Sequence, residues 1–270
     1  MQRLGLEALT VFGMPPPAHV RLAAQLGCGH VSLALAPVPW KLEAFPAWSL
    51  REDAALRREL QQALRDTGVT IPVAEGYSVR AGVDARSFAT DLDLLATLGV
   101  RHINGVCMER DLARGLEQLG IAADLAAERD MGFVLEFAPP HTIASLEQAL
   151  AAIRQLGRRN LRLVVDAMHF FRSGGSVDAL RAVPRELIGH VQLCDVPRTP
   201  PHDEYLKEAC FERRVPGDGE LPLAEFCAAL PPDVGIGLEV PMLSVVTQSG
   251  GVAALAARAV SAARRLLESR

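Results

Sequence analysis

The sequence has little of what marks several classes of protein. Its 270 residues contain no run of 18 apolar residues, so we expect no membrane-spanning helix. The amino-terminal stretch MQRLGLEALTVFG has no cleavable signal pattern. The net charge is −4 and the isoelectric point is about 6.0, so the composition indicates no basic face for nucleic acid.

Cysteines and aromatic residues are also scarce. The cysteines are scattered, odd in number and never form a CxxC pair: Cys28, Cys107, Cys194, Cys210 and Cys227. This pattern predicts reduced, mostly buried thiols and a cytoplasmic protein. Aromatic residues make up 5% of the chain, and alanine and leucine fill the segments of helical periodicity.

What the sequence does contain is a regular alternation of two kinds of segment. Short runs rich in Val, Ile and Leu predict strands at 6–12, 30–35, 70–75, 101–106, 132–137, 161–166, 190–195 and 236–240. Between them, helical periodicity predicts helices near 17–27, 52–67, 85–98, 109–129, 142–156, 176–182, 221–229 and 248–268. Nearly continuous apolar strands are typical of a parallel sheet covered by helices.

The number of these pairs favours one fold. Eight strand–helix units at about 34 residues each predict a (β/α)8 TIM barrel, an α/β fold, as a single domain over residues 1–270. Gly68 and Gly99 precede strands, as left-handed helix stops do. The alternative is a doubly wound sheet, but FGMPPPAHV stands where its glycine-rich phosphate turn is expected.

Four predicted strands late in the chain carry polar residues at or near their ends. They are Glu136, Asp166, Gln192 and Glu239, separated by 30, 26 and 47 residues. Catalytic groups of a barrel come from the carboxyl ends of its strands, and inward positions alternate with outward ones. The four side chains are therefore expected to converge at one end of the barrel.

Three carboxylates in one site repel one another and raise each other's pKa values. A divalent cation removes that repulsion, and carboxylate and amide oxygens suit Mg²⁺ or Mn²⁺, with Co²⁺ or Zn²⁺ also compatible. The alternative is that each carboxylate pairs with its own arginine at the barrel mouth.

Several motifs resemble one family. The segments LEF, VVDAMHFFRSGG, HVQLCDVP, RRVPGDGELPL and GLEVP are similar to those of xylose-isomerase-like TIM barrels, the sugar-phosphate isomerase/epimerase group. The resemblance covers about half of the chain. It implies one divalent metal ion per chain, held by Glu136, Asp166, Gln192 and Glu239, and a homodimer or homotetramer. Glutamine in place of the histidine of many members favours manganese or magnesium over zinc.

The resemblance also implies that His169 and the arginine before Pro216-Gly217 contact substrate. Spacing favours Arg213 over Arg214, and the alternative for one of the two is an ion pair with Glu212 or Asp218. A guanidinium suits hydroxyl, carboxylate or phosphate oxygens.

Other polar residues have less certain roles in the sequence. Glu75 ends the third strand and is expected either to bind substrate or to pair with Arg80. His190, two residues before Gln192, is expected to be a hydrogen-bonded core histidine. The remaining candidates lie in loops that could cover the site or serve structural or oligomer contacts: Trp40, His202 and Tyr205.

Glu136 and Glu239 are, by the same resemblance, paired acid/base groups as well as metal ligands. This predicts a metal-dependent isomerase or epimerase of a sugar-like polyhydroxy carbonyl compound, working through an enediolate. The alternatives are a dehydratase (lyase) of an inosose or 3-dehydroshikimate-like ring and a non-catalytic ligand-binding barrel. An endonuclease IV-like phosphodiesterase is disfavoured, because the chain has seven histidines, mostly away from strand ends.

Overall fold

The computed structural model describes residues 3–37, 42, 43, 45–201, 204–247 and 251–268. Trp40 and His202 lie outside the described residues. No helix within the described ranges is long and apolar enough to cross a membrane.

Eight parallel strands close into a barrel in chain order, which confirms the predicted TIM-barrel fold. They are β1 (Leu4–Leu6), β2 (His30–Leu33), β3 (Thr70–Val79), β4 (His102–Cys107), β5 (Gly132–Glu136), β6 (Leu161–Asp166), β7 (Ile188–Leu193) and β8 (Ile236–Leu238). β1 pairs with both β2 and β8, so the sheet has no free edge.

Helices surround the barrel. They are α1 (Pro16–Gln25), α2 (Ala54–Thr67), α3 (Ala89–Thr97), α4 (Leu112–Ala127), α5 (Leu146–Leu156), α6 (Ala167–Arg172), α7 (Val177–Arg181), α8 (Tyr205–Phe211), α9 (Leu223–Ala229), α10 (Leu243–Val246) and α11 (Gly251–Glu268). Asp53 caps α2 by accepting hydrogen bonds from the backbone N–H groups of Ala55 and Leu56. Gly68 ends the same helix with φ +70°, as its position before a strand predicted.

The first strand is the largest error in the predicted elements. It was expected over residues 6–12, whereas β1 ends at Leu6 and Ala8–Val11 form a 3-10 turn. The reason lies in Thr10, whose hydroxyl donates to the carbonyl of Leu238 and accepts from the N–H of Val240. These bonds hold an apolar stretch with strand-like composition across the end of the barrel.

The core has two parts. The main apolar cluster fills the space between the outer face of the barrel and its helices. Val73, Val134 and Val164 form a separate buried cluster, and alternation along β5 and β6 puts two of them on the same face as Glu136 and Asp166. The predicted inward positions of those two strands are thereby confirmed.

Candidate active site

The polar residues of strands β5 to β8 meet at the carboxyl end of the barrel. Glu136 and Asp166 are the last residues of β5 and β6, and Glu239 directly follows β8. Gln192 in β7 is in register with Asp166 on one side and with Gly237 on the other. All four side chains belong to buried residues, so their charges must be balanced within the site.

Arg213 lies at the centre of this group. Its Nη1 is 2.5 Å from Asp166 Oδ2 and 2.9 Å from Glu239 Oε2, and its Nε donates to the carbonyl of Ala209 over 2.7 Å. The residue is 2% exposed. The alternative interpretation gave each carboxylate its own arginine, whereas here one arginine is shared by two of them. Burial acts to raise the pKa of Asp166, but the charges of Arg213 and His169 hold it below its usual value.

Arg214 does not reach the site. Its guanidinium donates to the backbone carbonyl of Asp218 over 3.2 Å, and its side chain lines a separate surface cavity with Lys207 and Met242. Of the two arginines predicted from the motif, the structure brings only Arg213 to the strand-end carboxylates.

The loop that carries Arg213 is fixed by a buried aspartate, Asp195. Asp195 Oδ1 accepts hydrogen bonds from the N–H groups of Val196 and Leu221, and Oδ2 accepts from the N–H of Gly217. The backbones of Asp195 and Arg214 also pair with each other in both directions. Three bonds to one charged side chain are a strong local anchor, so the position of Arg213 follows from Asp195.

Glu136 is held by two neighbours. His169 Nε2 lies 3.3 Å from Glu136 Oε1, and Asn104 Nδ2 donates to Oε2 over 2.6 Å. Burial acts to raise the pKa of Glu136, but the hydrogen bond and charge of His169 outweigh it and lower this pKa. Glu136 is thus kept as a carboxylate.

His169 was expected on a loop, but it lies in the first turn of α6. Asp166 caps this short helix by accepting the N–H of His169 over 2.8 Å, which directs the imidazole back over the barrel. The other ring nitrogen, Nδ1, lies 2.6 Å from the Tyr205 hydroxyl. Tyr205 is held in turn because α8 is tied to α6 by a buried ion pair between Arg172 and Glu208, 2.7 Å apart.

Glu75 also reaches the site, and it does not pair with Arg80 in the described structure. Its Oε2 accepts from Asn104 Nδ2 over 2.8 Å, and Gln192 Nε2 lies 3.3 Å from both Glu75 Oε1 and Glu239 Oε1. Burial raises the pKa of Glu75 well above its usual value, and the carboxylates of Glu7 and Glu136 add to the rise.

Burial likewise raises the pKa of Glu239 well above its usual value. Arg213 opposes this rise, whereas the negative charges of Asp166, Glu136 and Glu75 reinforce it. The two strand-end glutamates therefore differ: the carboxylate form is favoured at Glu136, as at Asp166, whereas the protonated form is favoured at Glu239, as at Glu75. Such a divergence of pKa values is typical of acid/base pairs.

Glu7 is a polar residue of the barrel interior that the sequence analysis missed. Its Oε1 lies 2.8 Å from His190 Nε2, so His190 is the hydrogen-bonded core histidine that was predicted. A Cβ on Gly237 would lie 1.4 Å from Glu7 Oε1, which explains the glycine there. Glu7 directly follows an apolar strand, as Glu239 does. This position at a strand end was not recognised, because the first strand was predicted to continue to residue 12.

A cavity of about 380 Å³ opens beside these groups. Glu75 and Glu239 lie on its polar side, and its other walls are mainly the ends of β1, β2 and β3: Ala8, Leu9, Ala34, Leu35, Ala36, Gly76 and Tyr77. Arg51 stands at its edge and makes a two-bond ion pair with Asp91, both bonds 2.7 Å long. The volume is within the range of small-molecule sites, roughly 300–1,000 Å³.

The fit of a divalent cation can be tested on the donors present. Three carboxylates and one amide offer hard oxygen ligands, and Gln192 Oε1 is buried with no hydrogen-bond partner among the described residues. Within those residues, however, no three His, Cys, Asp or Glu side chains are grouped closely enough to form a metal site, and Arg213 stands between two of the carboxylates. The donor chemistry fits a cation, provided that Arg213 moves aside.

Comparison with known proteins agrees with this fold. A family model described as a xylose isomerase-like TIM barrel matches residues 20–261. Inosose isomerase of Bacillus velezensis is 27% identical over 154 residues, which span 53% of this chain and only about half, 53%, of that protein. A putative hydroxypyruvate isomerase of Homo sapiens is 25% identical over 205 residues, covering 72% of this chain and 68% of that protein.

The solved structures include one described as the IolI protein with a bound zinc atom. It is similar to this chain with a TM-score of 0.82 and 16% identity, over 99% of this chain and 98% of that one. At this identity the likeness establishes a shared fold.

Proposed function

Because the chain belongs to the xylose isomerase-like TIM-barrel family, we propose that it is an isomerase or epimerase of a sugar-like polyhydroxy carbonyl compound. The observation that carries the proposal is the pair of buried glutamates, Glu136 and Glu239, which end two strands at the same end of the barrel and have opposite pKa shifts. The two relatives described above are both named isomerases, which supports the class of reaction.

Glu136 is proposed as the base. Its carboxylate removes the proton from the carbon next to the substrate carbonyl, leaving an enediolate. His169 and Asn104 keep Glu136 ionised and oriented, and the Tyr205 hydroxyl orients His169 in turn. Once the substrate proton has moved to Glu136, the negative charge lies on the substrate oxygens.

Glu239 is proposed as the acid. In an isomerase its carboxyl proton passes to the second carbon, while the hydroxyl proton of the first carbon moves to the former carbonyl oxygen. In an epimerase the proton passes to the opposite face of the same carbon, and in both cases Glu239 is left as a carboxylate. Arg213, 2.9 Å away, then has a full negative charge to pair with, which favours this step. Proton exchange with solvent returns both glutamates to their starting states.

Glu136, Asp166, Gln192 and Glu239 would hold one divalent cation, with Glu239 contributing the carbonyl oxygen of its protonated carboxyl. Oxygen donors favour manganese or magnesium, although the IolI structure compared above contains zinc. When bound, such a cation polarises the carbonyl and stabilises negative charge on oxygen. Gln192 would turn its unpartnered oxygen toward the ion, and Arg213 would leave Asp166 for the substrate oxygens, its predicted contact.

The substrate is proposed to enter the cavity beside Glu75 and Glu239. Glu75, kept protonated by its raised pKa, is able to donate a hydrogen bond to a substrate oxygen. The alanine-rich walls after β1 and β2 leave room for a compact ring or a short chain. We also propose that the protein is cytoplasmic and that it forms a homodimer or homotetramer. Sedimentation would measure the oligomeric state.

The deciding experiment follows hydrogen exchange in D₂O. Metal-loaded protein is incubated with ketoses and inososes, and deuterium at carbon is read by NMR and mass spectrometry. Wild type should place deuterium in an isomeric product, and Glu136→Gln should abolish the exchange. Exchange at the wild-type rate in Glu136→Gln would disprove the assignment of the base.

A dehydratase is the second candidate, because the proton on Glu239 could equally serve a leaving hydroxyl group. The same incubations distinguish the two. Loss of water with new ultraviolet absorption identifies the lyase, whereas an isomeric product of unchanged mass in H₂O identifies the isomerase or epimerase.

A further inference from the structure

A second cavity opens at the opposite end of the barrel, where the strands begin. This basal cavity has a volume of about 790 Å³ and is lined by the first residues of several strands and the loops before them. Its charged residues are Arg3, Arg101, Arg162, Arg185, Glu186 and Asp233. Four arginines against two carboxylates are a local excess of positive charge in a chain whose net charge is −4.

Three of the arginines are available for a ligand. Arg3 is engaged, since it donates to the carbonyls of Val234 and Pro231 over 2.8 and 2.6 Å. In contrast, Arg101, Arg162 and Arg185 are exposed, and their side chains make no hydrogen bond or ion pair within the described ranges. The positive charges of the cavity exceed its two carboxylates, and a bound anion would balance the excess.

The lining of the basal cavity packs closely against the stem of Arg162. Gly189 stands next to Arg162, and a Cβ there would lie 3.0 Å from Arg162 Cβ and 2.8 Å from Val134 Cγ1. His190 forms part of the deeper wall, and its Nδ1 is buried with no hydrogen-bond partner in the described part of the chain. This atom therefore offers a hydrogen-bonding position to water or to a ligand.

The effect of the positive charge is visible on a neighbour, His102. Burial lowers the pKa of His102, its hydrogen bond to the Pro72 carbonyl opposes this, and the charges of Arg162, His190 and Arg101 lower the pKa further. The arginines of the basal cavity therefore disfavour a further positive charge on this ring.

We propose that the basal cavity is a binding site for a phosphate-bearing small molecule, held by Arg101, Arg162 and Arg185. The planar guanidinium group matches the oxygens of phosphate and can bind them with two parallel hydrogen bonds. The volume is sufficient for more than a single phosphate ion, as it lies within the roughly 300–1,000 Å³ of small-molecule sites. The site is separate from the carboxylates at the other end of the barrel, so its ligand is neither substrate nor catalytic metal.

The test is a titration with inorganic pyrophosphate, followed by isothermal calorimetry at fixed ionic strength and in the presence of chelator. Wild type should show saturable binding of one pyrophosphate per chain. Arg162→Gln and Arg185→Gln should each weaken binding about tenfold or more, since each removes charge-assisted hydrogen bonds. Arg154→Gln, on an exposed residue of α5 outside the cavity, is the matched control and should bind as wild type does.

Both substituted arginines are exposed and unpartnered, so the two variants should unfold at the same temperature as wild type. If either variant does not fold, Arg101→Gln takes its place. Absence of saturable binding would overturn the proposal. So would unchanged affinity in the Arg162/Arg185 double variant, because pyrophosphate would then be bound elsewhere. Neither result depends on turnover, so the outcome is independent of the proposed enzymatic function.

Discussion

Replacing Arg213 by methionine should destabilise the protein far more than an ordinary arginine substitution does. Arg213 is 2% exposed and lies 2.5 Å from Asp166, which is itself 1% exposed. With an effective dielectric of about 20, the Coulomb energy of that pair is about 7 kcal/mol, and much of it is offset by desolvation. The pKa of Glu239, the other partner of Arg213, is raised and that of Asp166 is lowered, so Asp166 is the partner whose carboxylate form is favoured.

The substitution leaves Asp166 buried without its counter-charge. Breaking a buried pair in this way costs about 3–5 kcal/mol, which corresponds to a fall in melting temperature of roughly 6–20 °C for a chain of this size. The measurement is thermal and urea unfolding in the presence of chelator. Arg214→Met is the control, because Arg214 bonds a backbone carbonyl outside the site and should lose less than about 1 kcal/mol.

The same unfolding measurements can be repeated with a divalent metal ion in place of the chelator. If Asp166 and Glu239 are metal ligands, Mn²⁺ should restore stability to Arg213→Met, since a cation replaces the missing guanidinium. The reasoning on the ion pair is refuted if Arg213→Met and Arg214→Met unfold at the same temperature without metal. The assignment of the metal ligands is refuted if saturating Mn²⁺ leaves the unfolding of both wild type and Arg213→Met unchanged.

Three further predictions concern neighbouring groups. Tyr205→Phe should lower kcat about tenfold with less than about 1 kcal/mol lost in stability, and an unchanged kcat would contradict the orienting role of its hydroxyl. Glu75 has a raised pKa, so its protonated form contributes stability that is fully present below its ordinary pKa of 4.5 and is lost as the pH rises through the folded-state pKa. Glu75→Gln should therefore flatten the decline in stability toward alkaline pH, and an unchanged pH dependence of the urea midpoint would contradict this. Asp195→Ala removes three hydrogen bonds that hold the Arg213 loop, so it should cost about 3 kcal/mol and speed proteolysis there; an unchanged cleavage rate would show that the loop is held otherwise.

The barrel and the convergence of its late strands follow from the sequence because they depend on short-range patterns. Alternation along β5 and β6 fixes which side chains point inward, and the strand ends then place Glu136 and Asp166 together. The predicted bounds of the first strand were wrong because the apolar residues of the 3-10 turn after Leu6 have the composition of a strand. What holds that turn is Thr10 bonding to β8, which is 228 residues away in the chain.

The electrostatic organisation of the site could not be predicted for a similar reason. The spacing favoured Arg213 over Arg214, but its pairing with Asp166 joins residues 47 positions apart and depends on the loop fixed by Asp195. His169 was assigned to a loop because a six-residue helix has too few residues for a periodic signal. These features come from tertiary contacts that no local pattern encodes.

The ion pair between α6 and α8 makes the two halves of the barrel mouth different. Over the ends of β6 and β7, the buried Arg172–Glu208 ion pair holds α8 in place, and Tyr205 of α8 contacts His169 beside the candidate base, Glu136. This half of the barrel mouth is therefore fixed. The open cavity lies instead over the ends of β1, β2 and β3. We therefore expect that exchanging the first three βα-loops changes the substrate preference, while Glu136 and Glu239 keep their proposed acid/base roles at the ends of later strands.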